Sequence, residues 1–261
     1  MSDRQYVKTS IEDRVALLTL DYPPMNVLNT VTVTELNDAL DELLANDEVK
    51  AIVITGGGQY AFIAGADINQ IASIKSPEEG RGLVKMGHAL MSKIEGAKKP
   101  IIAAINGYCL GGGLELAMAC HMRICNNRAQ LGQPEINLGL IPGFGGTQRL
   151  PRIVGKGKAL ELIVTGDPID AEEGERLGLI NRVVPPEELM PTVEGMARAL
   201  CEKSAPILRY ALEAVNKGLE GSLEEGLALE VNLFGMTYST EDVREGTKAF
   251  LEKRKPEFKD R

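Results

Sequence analysis

The segment at residues 106–120 joins a run of glycines to a glutamate, a pattern that can stabilise negative charge. Gly111, Gly112 and Gly113 open the predicted helix GGGLELAMAC, and Glu115 follows Gly112 by three residues. The first backbone N–H groups of a helix lack intrahelical partners and lie at the positive end of the helix dipole, so a developing oxyanion is stabilised there. The spacing also places the Glu115 carboxylate on roughly the same helix face as these exposed N–H groups.

A purely structural interpretation of this string is also available. The glycines would then only permit tight packing, and Glu115 would be a solvated helix residue. The neighbours of the glutamate at positions 114 and 116–119 are all apolar, which favours burial over solvation. A buried carboxylate needs a partner or a catalytic use. The residues alone leave both interpretations open.

A second candidate carboxylate, Glu135, lies in the segment Gln133-Pro134-Glu135. It precedes a stretch rich in glycine and proline at 139–149, a composition that predicts a shaped loop before a helix. The glycines at 145 and 146 could instead open a helix toward an anion, although no Walker or dinucleotide-binding pattern is complete there. The glycines at 56–58 also lack that spacing, and we predict a turn.

Composition excludes several classes of function. A formal net charge of -8 argues against broad attachment to nucleic acid or to an anionic membrane. The four cysteines form no CxxC pair, and only His88 and His121 could supply imidazole ligands, so we expect reduced thiols and no structural metal. Residues 1–15 lack a signal-peptide pattern, and no run of about 18 apolar residues occurs, which predicts a cytoplasmic protein. His121, beside an apolar run, is predicted to be a core or surface histidine rather than a base.

The elements that must position these candidates follow a repeated strand, strand, helix order in the first half of the chain. Apolar runs at 51–55 and 101–106 predict buried strands, each followed by a turn and a second short strand. Thr32 and Glu35 have the spacing of a capping box and predict the start of an earlier helix. After Pro151 the pattern changes to successive helices. They are predicted at 156–165, 171–177, 187–202, 206–219, 222–238 and 241–253.

Taken together, the motifs closely resemble those of the enoyl-CoA hydratase/isomerase family, also called the crotonase family, and of its hydratases in particular. The resemblance covers nearly the whole chain and rests on several segments that are specific only in combination. These segments are 24–28 (PMNVL), 62–68 (FIAGADI), 106–115, 133–135, 139–149 and 244–246 with the residues that follow.

The resemblance implies an α/β fold with a crotonase-like spiral core of repeated ββα units at residues 1–195. Residues 196–261 would form a helical C-terminal trimerisation region. The implied substrate is an acyl-CoA, with coenzyme A as part of the substrate and no separate cofactor. The implied assembly is a homotrimer or a dimer of trimers, with no nucleic-acid or membrane partner.

The resemblance also implies roles for individual residues. Glu115 and Glu135 would be the catalytic carboxylates, and the backbone N–H groups of Ala66 and Gly112 would form an oxyanion hole. The residues expected to bind substrate are Ala64, Ala66, Asp67, Ile68 and Gly112. The expected reaction is the addition of water across the 2,3 double bond of a 2-enoyl-CoA to give a 3-hydroxyacyl-CoA.

Two departures and two alternatives accompany this expectation. His121 stands where many relatives carry an acidic residue, and Phe144 occupies a loop position usually filled by a small residue, which leaves the shape of the acyl pocket open.

An enoyl-CoA isomerase of the same family needs the oxyanion hole but can shift a proton with one carboxylate, so the two glutamates favour a hydratase. A non-catalytic RNA-binding member is the other alternative, and no dense run of Lys or Arg supports it.

Overall fold

The apolar runs of the chain form the strands of two sheets in the computed structural model, which describes residues 4–261. Residues 1–3, with which the predicted core begins, lie outside the described residues. The strands are β1 (Val7–Glu12), β2 (Val15–Leu20), β3 (Ala51–Gly56), β4 (Ala61–Ile63), β5 (Ile101–Ile105), β6 (Tyr108–Leu110), β7 (Met122–Asn126), β8 (Gln130–Gly132), β9 (Ile169–Asp170) and β10 (Arg182–Val184).

The larger sheet has the strand order β1-β2-β3-β5-β7-β10 and is parallel except for the β1–β2 pair. All six residues of β3 and all five of β5 are buried, as expected for parallel strands that are covered on both faces. These two strands confirm the predictions at 51–55 and 101–106. The smaller sheet has the order β4-β6-β8-β9, in which β4, β6 and β8 run parallel.

The helices confirm the change of pattern after Pro151. All six predicted C-terminal helices are present, and their bounds agree with the prediction to within two residues. None of the helices between residues 4 and 261 has the length and apolarity needed to span a bilayer. The helices are α1 (Thr30–Ala45), α2 (Ile68–Ser73), α3 (Pro77–Glu95), α4 (Gly112–Ala119), α5 (Gly146–Val154), α6 (Lys156–Thr165), α7 (Ala171–Arg176), α8 (Leu189–Cys201), α9 (Ala205–Gly218), α10 (Leu223–Thr237) and α11 (Glu241–Leu251).

The predicted start of the first helix is wrong. α1 begins at Thr30, and the side chain of Asn29 caps it by accepting a hydrogen bond from the N–H of Thr32. The hydroxyl of Thr32 accepts from the N–H of Asn29, which completes a capping box three residues earlier than expected. Glu35 instead accepts hydrogen bonds from the three backbone N–H groups of residues 5–7 and so anchors the start of β1.

The C-terminal part of the chain contacts the larger sheet and the residue that precedes β3. The carboxylate of Asp260 accepts hydrogen bonds from the buried Lys50 ammonium at 2.6 Å and from the N–H of Ala205 at 2.8 Å. Helix α8 packs its buried residues against the larger sheet and continues through position 195. The predicted boundary between residues 195 and 196 is therefore crossed by a helix, and a division there stays a prediction.

Candidate active site

Three neighbouring parallel strands carry the predicted site residues at their carboxyl ends. Residues 64–66 follow β4, the glycine turn of α4 follows β6, and a 3₁₀ turn at Pro134–Leu138 follows β8. Because the carboxyl ends of parallel strands meet at one edge of a sheet, these segments converge there. The convergence brings Gly112, Glu115 and Glu135 to one cavity of about 560 Å³.

Most of the residues predicted to bind substrate line this cavity, hereafter the apolar cavity. Among the lining residues, Ala64 and Ala66 follow β4, and Ile68 begins α2. Asp67 has a different role, because its carboxylate caps α2 by accepting a hydrogen bond from the N–H of Asn69 at 2.9 Å. The remaining walls are largely apolar side chains of α2, α3 and the 138–144 loop.

Two backbone N–H groups at the edge of the apolar cavity are left outside the regular hydrogen-bond ladders by local geometry. Leu28 forms a parallel bridge with Ala66 by bonding Gly65 O and Asp67 N, each at 2.8 Å, so the N–H of Ala66 faces away from Leu28. Gly112 is the first residue of α4, and its N–H belongs to the unpaired first turn.

Close packing of α4 on β4 brings these two segments together. An added Cβ on Gly113 would lie 2.0 Å from the carbonyl oxygen of Ile63, so only glycine permits this approach. Gly111 has φ 52° and ψ -125°, a backbone conformation that side chains disfavour, and it turns the chain into the helix. The glycine run therefore both shapes the turn and sets the distance between helix and strand.

Glu115 is buried, at 2% exposure, so the interpretation of this residue as a solvated helix position is excluded. Its Oε1 accepts hydrogen bonds from the N–H groups of Phe144 at 2.7 Å and Gly146 at 2.6 Å. Burial raises the pKa of Glu115 to about 7, the hydrogen bond from Gly146 opposes that shift, and the nearby negative charge of Glu135 adds to it.

Glu135 faces the same cavity from the 3₁₀ turn. Its Oε2 is buried and has no hydrogen-bond partner among residues 4–261, whereas its Oε1 lies beside Gly111. Burial raises the pKa of this carboxyl above its ordinary value. Two carboxyls with raised pKa values on one cavity can hold a single proton between them near neutral pH, and such a pair titrates as a unit.

A second cavity of about 630 Å³, hereafter the polar cavity, is lined by the C-terminal end of α4 and by side chains of α5. Arg149 binds both carboxylate oxygens of Glu95, at 3.2 and 2.7 Å, and also donates to the carbonyl oxygen of Phe144 at 3.2 Å. His121 lines this cavity and accepts the N–H of Ile101 through Nδ1 at 2.9 Å. Burial lowers the pKa of His121 to about 4.

The chain as a whole has relatives among known proteins. The family model for enoyl-CoA hydratase/isomerase matches residues 10–261. The chain belongs to this family. It is 44% identical over 248 residues to a crotonyl-CoA hydratase of Syntrophomonas wolfei, with 95% of each chain covered. It is 42% identical over 252 residues to a short-chain-enoyl-CoA hydratase of Clostridium acetobutylicum, with 96% of each chain covered.

Solved structures of the enoyl-CoA hydratase/isomerase family have the same fold. A Geobacillus kaustophilus structure described as an enoyl-CoA hydratase subunit gives a TM-score of 0.95 at 40% identity, with 100% of both chains covered. An enoyl-CoA hydratase of Bacillus anthracis gives 0.94 at 37% identity, covering 98% of this chain and 100% of the other. The crotonase-like α/β fold expected from the motifs is confirmed.

Several cavity residues of this family member were missed from the sequence. Leu83 is only partly buried and lines the apolar cavity together with Val84. The 139–149 stretch indicates no role for Arg149, since its partner Glu95 lies 54 residues earlier. The helical period that predicts an apolar face of α3 does not distinguish a face packed on the core from one that lines a cavity.

Proposed function

We propose that this chain is an enoyl-CoA hydratase, which adds water across the 2,3 double bond of 2-enoyl-CoA thioesters to give 3-hydroxyacyl-CoA. The observation that carries the proposal is the pair of buried carboxyls, Glu115 and Glu135, on one apolar cavity beside the N-terminus of α4. The hydratases named among its relatives, with 42% to 46% identity over nearly full length, support the same reaction.

The first requirement of hydration is stabilisation of an enolate. Attack of water at C3 moves negative charge onto the thioester oxygen, and we assign its stabilisation to the N–H groups of Ala66 and Gly112. Preorganised donors in a cavity shielded from water act strongly because they need no reorganisation, and loss of one typically costs on the order of 10² to 10³ in rate. The α4 dipole adds to the effect.

The second requirement is movement of two protons. The ionised member of the carboxyl pair accepts a proton from the attacking water, and the protonated member donates one to C2. The raised pKa values of Glu115 and Glu135 support this use, since a proton carrier works best with a pKa near the working pH. The unpartnered Oε2 of Glu135 leaves an acceptor available for the water.

The substrate supplies the remaining chemistry, so the proposed reaction uses no separate cofactor. Coenzyme A would lie along the segment from Ala64 to Ile68, which borders the apolar cavity beside Ala66. Asp67 would contribute to binding through the capped turn that it forms with Asn69 rather than through the cavity wall. We also propose a cytoplasmic location, because the four cysteines are free thiols, as expected in a reducing compartment.

Loss of the conjugated enoyl absorbance of crotonyl-CoA tests the proposal directly. Turnover with formation of 3-hydroxybutyryl-CoA supports a hydratase. Migration of the double bond of a 3-enoyl-CoA without water uptake would instead support the isomerase alternative. RNA binding in a parallel titration, with no turnover of either thioester, would support a non-catalytic family member.

We further propose that the chain assembles as a homotrimer or a dimer of trimers. Helix α10 has no buried residue in the single chain, and four of its apolar side chains recur at helical spacing on one face. Leu223, Leu227, Val231 and Phe234 are between 51% and 79% exposed. A second copy would cover this face. Light scattering at the assay concentration tests the assembly, and a fully active monomer would contradict it.

A further inference from the structure

The ring of Phe144 is held between two glycines on different helices. Its Cδ1 edge lies against Gly87 of α3, where an added Cβ would be only 2.2 Å from Cδ1 and 2.4 Å from Cε1. Its Cδ2 edge lies near Gly112 of α4, where an added Cβ would be 3.5 Å from Cδ2. The ring therefore fills the gap between α3 and the start of α4, and it is only 6% exposed.

Gly87 has a packing reason to be glycine. It lies inside α3, where glycine is typically about 1 kcal/mol less favourable than alanine. Its backbone is not in the left-handed region, so conformation does not demand glycine there. The close approach of Phe144 does demand it, which makes the two residues a matched pair.

The position of Phe144 relative to the reacting atoms follows from the proposed function, on which this inference rests. The thioester carbonyl would lie at Gly112, and C2 and C3 would lie at the glutamates. The N–H of Phe144 donates a hydrogen bond to the carboxylate of Glu115. The Cβ of Phe144, which carries the ring, is only two covalent bonds from that nitrogen. An acyl chain that continues past C3 beyond Glu115 would soon meet the ring.

We propose that Phe144, seated against Gly87, closes the acyl end of the apolar cavity and makes the enzyme selective for short 2-enoyl chains. The ring determines specificity and takes no part in proton transfer. Even one methylene changes recognition in a tight apolar pocket by about 10-fold to 200-fold, so a phenyl ring placed across the path has a large effect.

The test compares kcat/KM for 2-enoyl-CoA substrates of four, eight and twelve carbons. The wild-type enzyme should favour the four-carbon substrate. Phe144→Ala should raise the ratio of twelve-carbon to four-carbon kcat/KM by about tenfold or more. Phe144→Leu, which removes less volume and disturbs the fold less, should give an intermediate ratio.

Leu150→Ala is the matched control. Leu150 is fully buried in α5, the helix that follows the same loop, and it lines neither cavity. Its truncation removes apolar volume from the helix that follows the loop without opening the acyl end. It should lower stability and leave the chain-length ratio at the wild-type value.

A double-mutant cycle tests the pairing itself. Gly87→Ala alone should reduce stability and turnover, because its methyl group displaces the ring into the cavity. In the Phe144→Ala background the same methyl group enters vacated space, so its effect should be much smaller and should partly restore the short-chain preference. Equal effects of Gly87→Ala in both backgrounds would show that the two residues do not act as a pair.

The outcomes separate this inference from the proposed function. Turnover of all three chain lengths with a ratio that Phe144→Ala and Phe144→Leu leave unchanged overturns the assignment of Phe144, while the hydratase stands. Folded wild-type enzyme that turns over no enoyl-CoA of any length overturns both. A ratio that shifts in Leu150→Ala as much as in Phe144→Ala attributes the effect to general loosening and also overturns the assignment.

Discussion

The two cavities that adjoin α4 differ in whether their charged groups are paired. In the polar cavity, Arg149 is bound to both oxygens of Glu95, and Arg123 donates to the three carbonyl oxygens of Ala117, Cys120 and Leu179. In the apolar cavity, the carboxyls of Glu115 and Glu135 form no ion pair within residues 4–261, and both have raised pKa values. Charges with fixed partners support structure, whereas carboxyls without a counter-charge remain able to exchange protons.

The two cavities are nevertheless mechanically connected through residues 144–149, where the loop passes into α5. Arg149 donates to the carbonyl oxygen of Phe144, and the N–H of Phe144 donates to Glu115. The satisfied pair of Arg149 and Glu95 thus positions a carboxyl of the proposed catalytic pair. The contrast predicts that substitutions in the apolar cavity affect turnover most. Substitutions in the polar cavity should instead affect stability and the position of the loop that carries Phe144.

Replacement of either proposed catalytic glutamate should have the largest effect. Glu115→Gln and Glu135→Gln preserve side-chain volume but cannot exchange a carboxyl proton, so each should lower kcat by about 10² to 10⁴ with the fold retained. The double variant should lose much less than the product of the single losses, because the two groups act as a unit. Crotonyl-CoA absorbance measures turnover, and circular dichroism checks folding. Near wild-type turnover in either single variant removes that residue from the mechanism.

Removal of one proposed oxyanion donor should have the next largest effect. Gly112→Pro deletes the N–H at the first position of α4, where proline is tolerated in helices, and should lower kcat by about 10² to 10³. Gly112→Ala is the control, because it keeps the N–H, and its Cβ would lie 3.2 Å from the flexible end of the Leu28 side chain and in ordinary contact with the Phe144 ring at 3.5 Å. The alanine variant should lose far less activity. Equal losses in both variants would point to steric disturbance rather than to a missing donor.

The sequence predicted the parts of the site that depend on local pattern. The helix of Glu115 and the six helices after Pro151 are recognisable because apolar spacing and turn residues act within a few positions. Strands β9 and β10 were missed, since two or three residues are too short for a periodic signal. The error at α1 arose because Thr32 and Glu35 fit a capping box, while the structure uses Glu35 to hold residues 5–7.

Long-range partners account for the rest of what the sequence did not predict. Phe144 and Gly146 bind Glu115 across 29 and 31 residues, and no local pattern links a loop N–H to that carboxylate. The fit of Phe144 against Gly87 likewise depends on the packing of α3 beside the loop. The departure at position 144 was visible in the sequence, but its consequence for the cavity required the position of α3.

A smaller effect should appear in the pH dependence of stability. The pKa of Glu115 rises from 4.5 to about 7 on folding, so the native state binds more protons between these values and loses stability as pH rises through them. Glu115→Gln keeps an oxygen for the two loop N–H groups and removes the charge. It should therefore exceed wild type in free energy of unfolding by up to about 3 kcal/mol at pH 8, with no difference at pH 4. Urea unfolding at fixed protein concentration measures this, and equal curves at pH 8 would contradict it.

The smallest effect should come from a substitution in the polar cavity, where the charged groups are paired. Arg149→Lys keeps the positive charge but loses the planar fork that binds Glu95 and Phe144 O together, so stability should fall by about 1 kcal/mol. A looser Phe144 N–H would stabilise ionised Glu115 less, and the apparent pKa on the acidic side of the kcat profile should rise. Arg152→Lys is the control, because Arg152 is exposed and, within residues 4–261, donates to Gln148 alone. A purely structural role for Arg149 would lower stability while leaving the pH profile superimposable on wild type. That result would show that the polar cavity has no influence on the ionisation of Glu115.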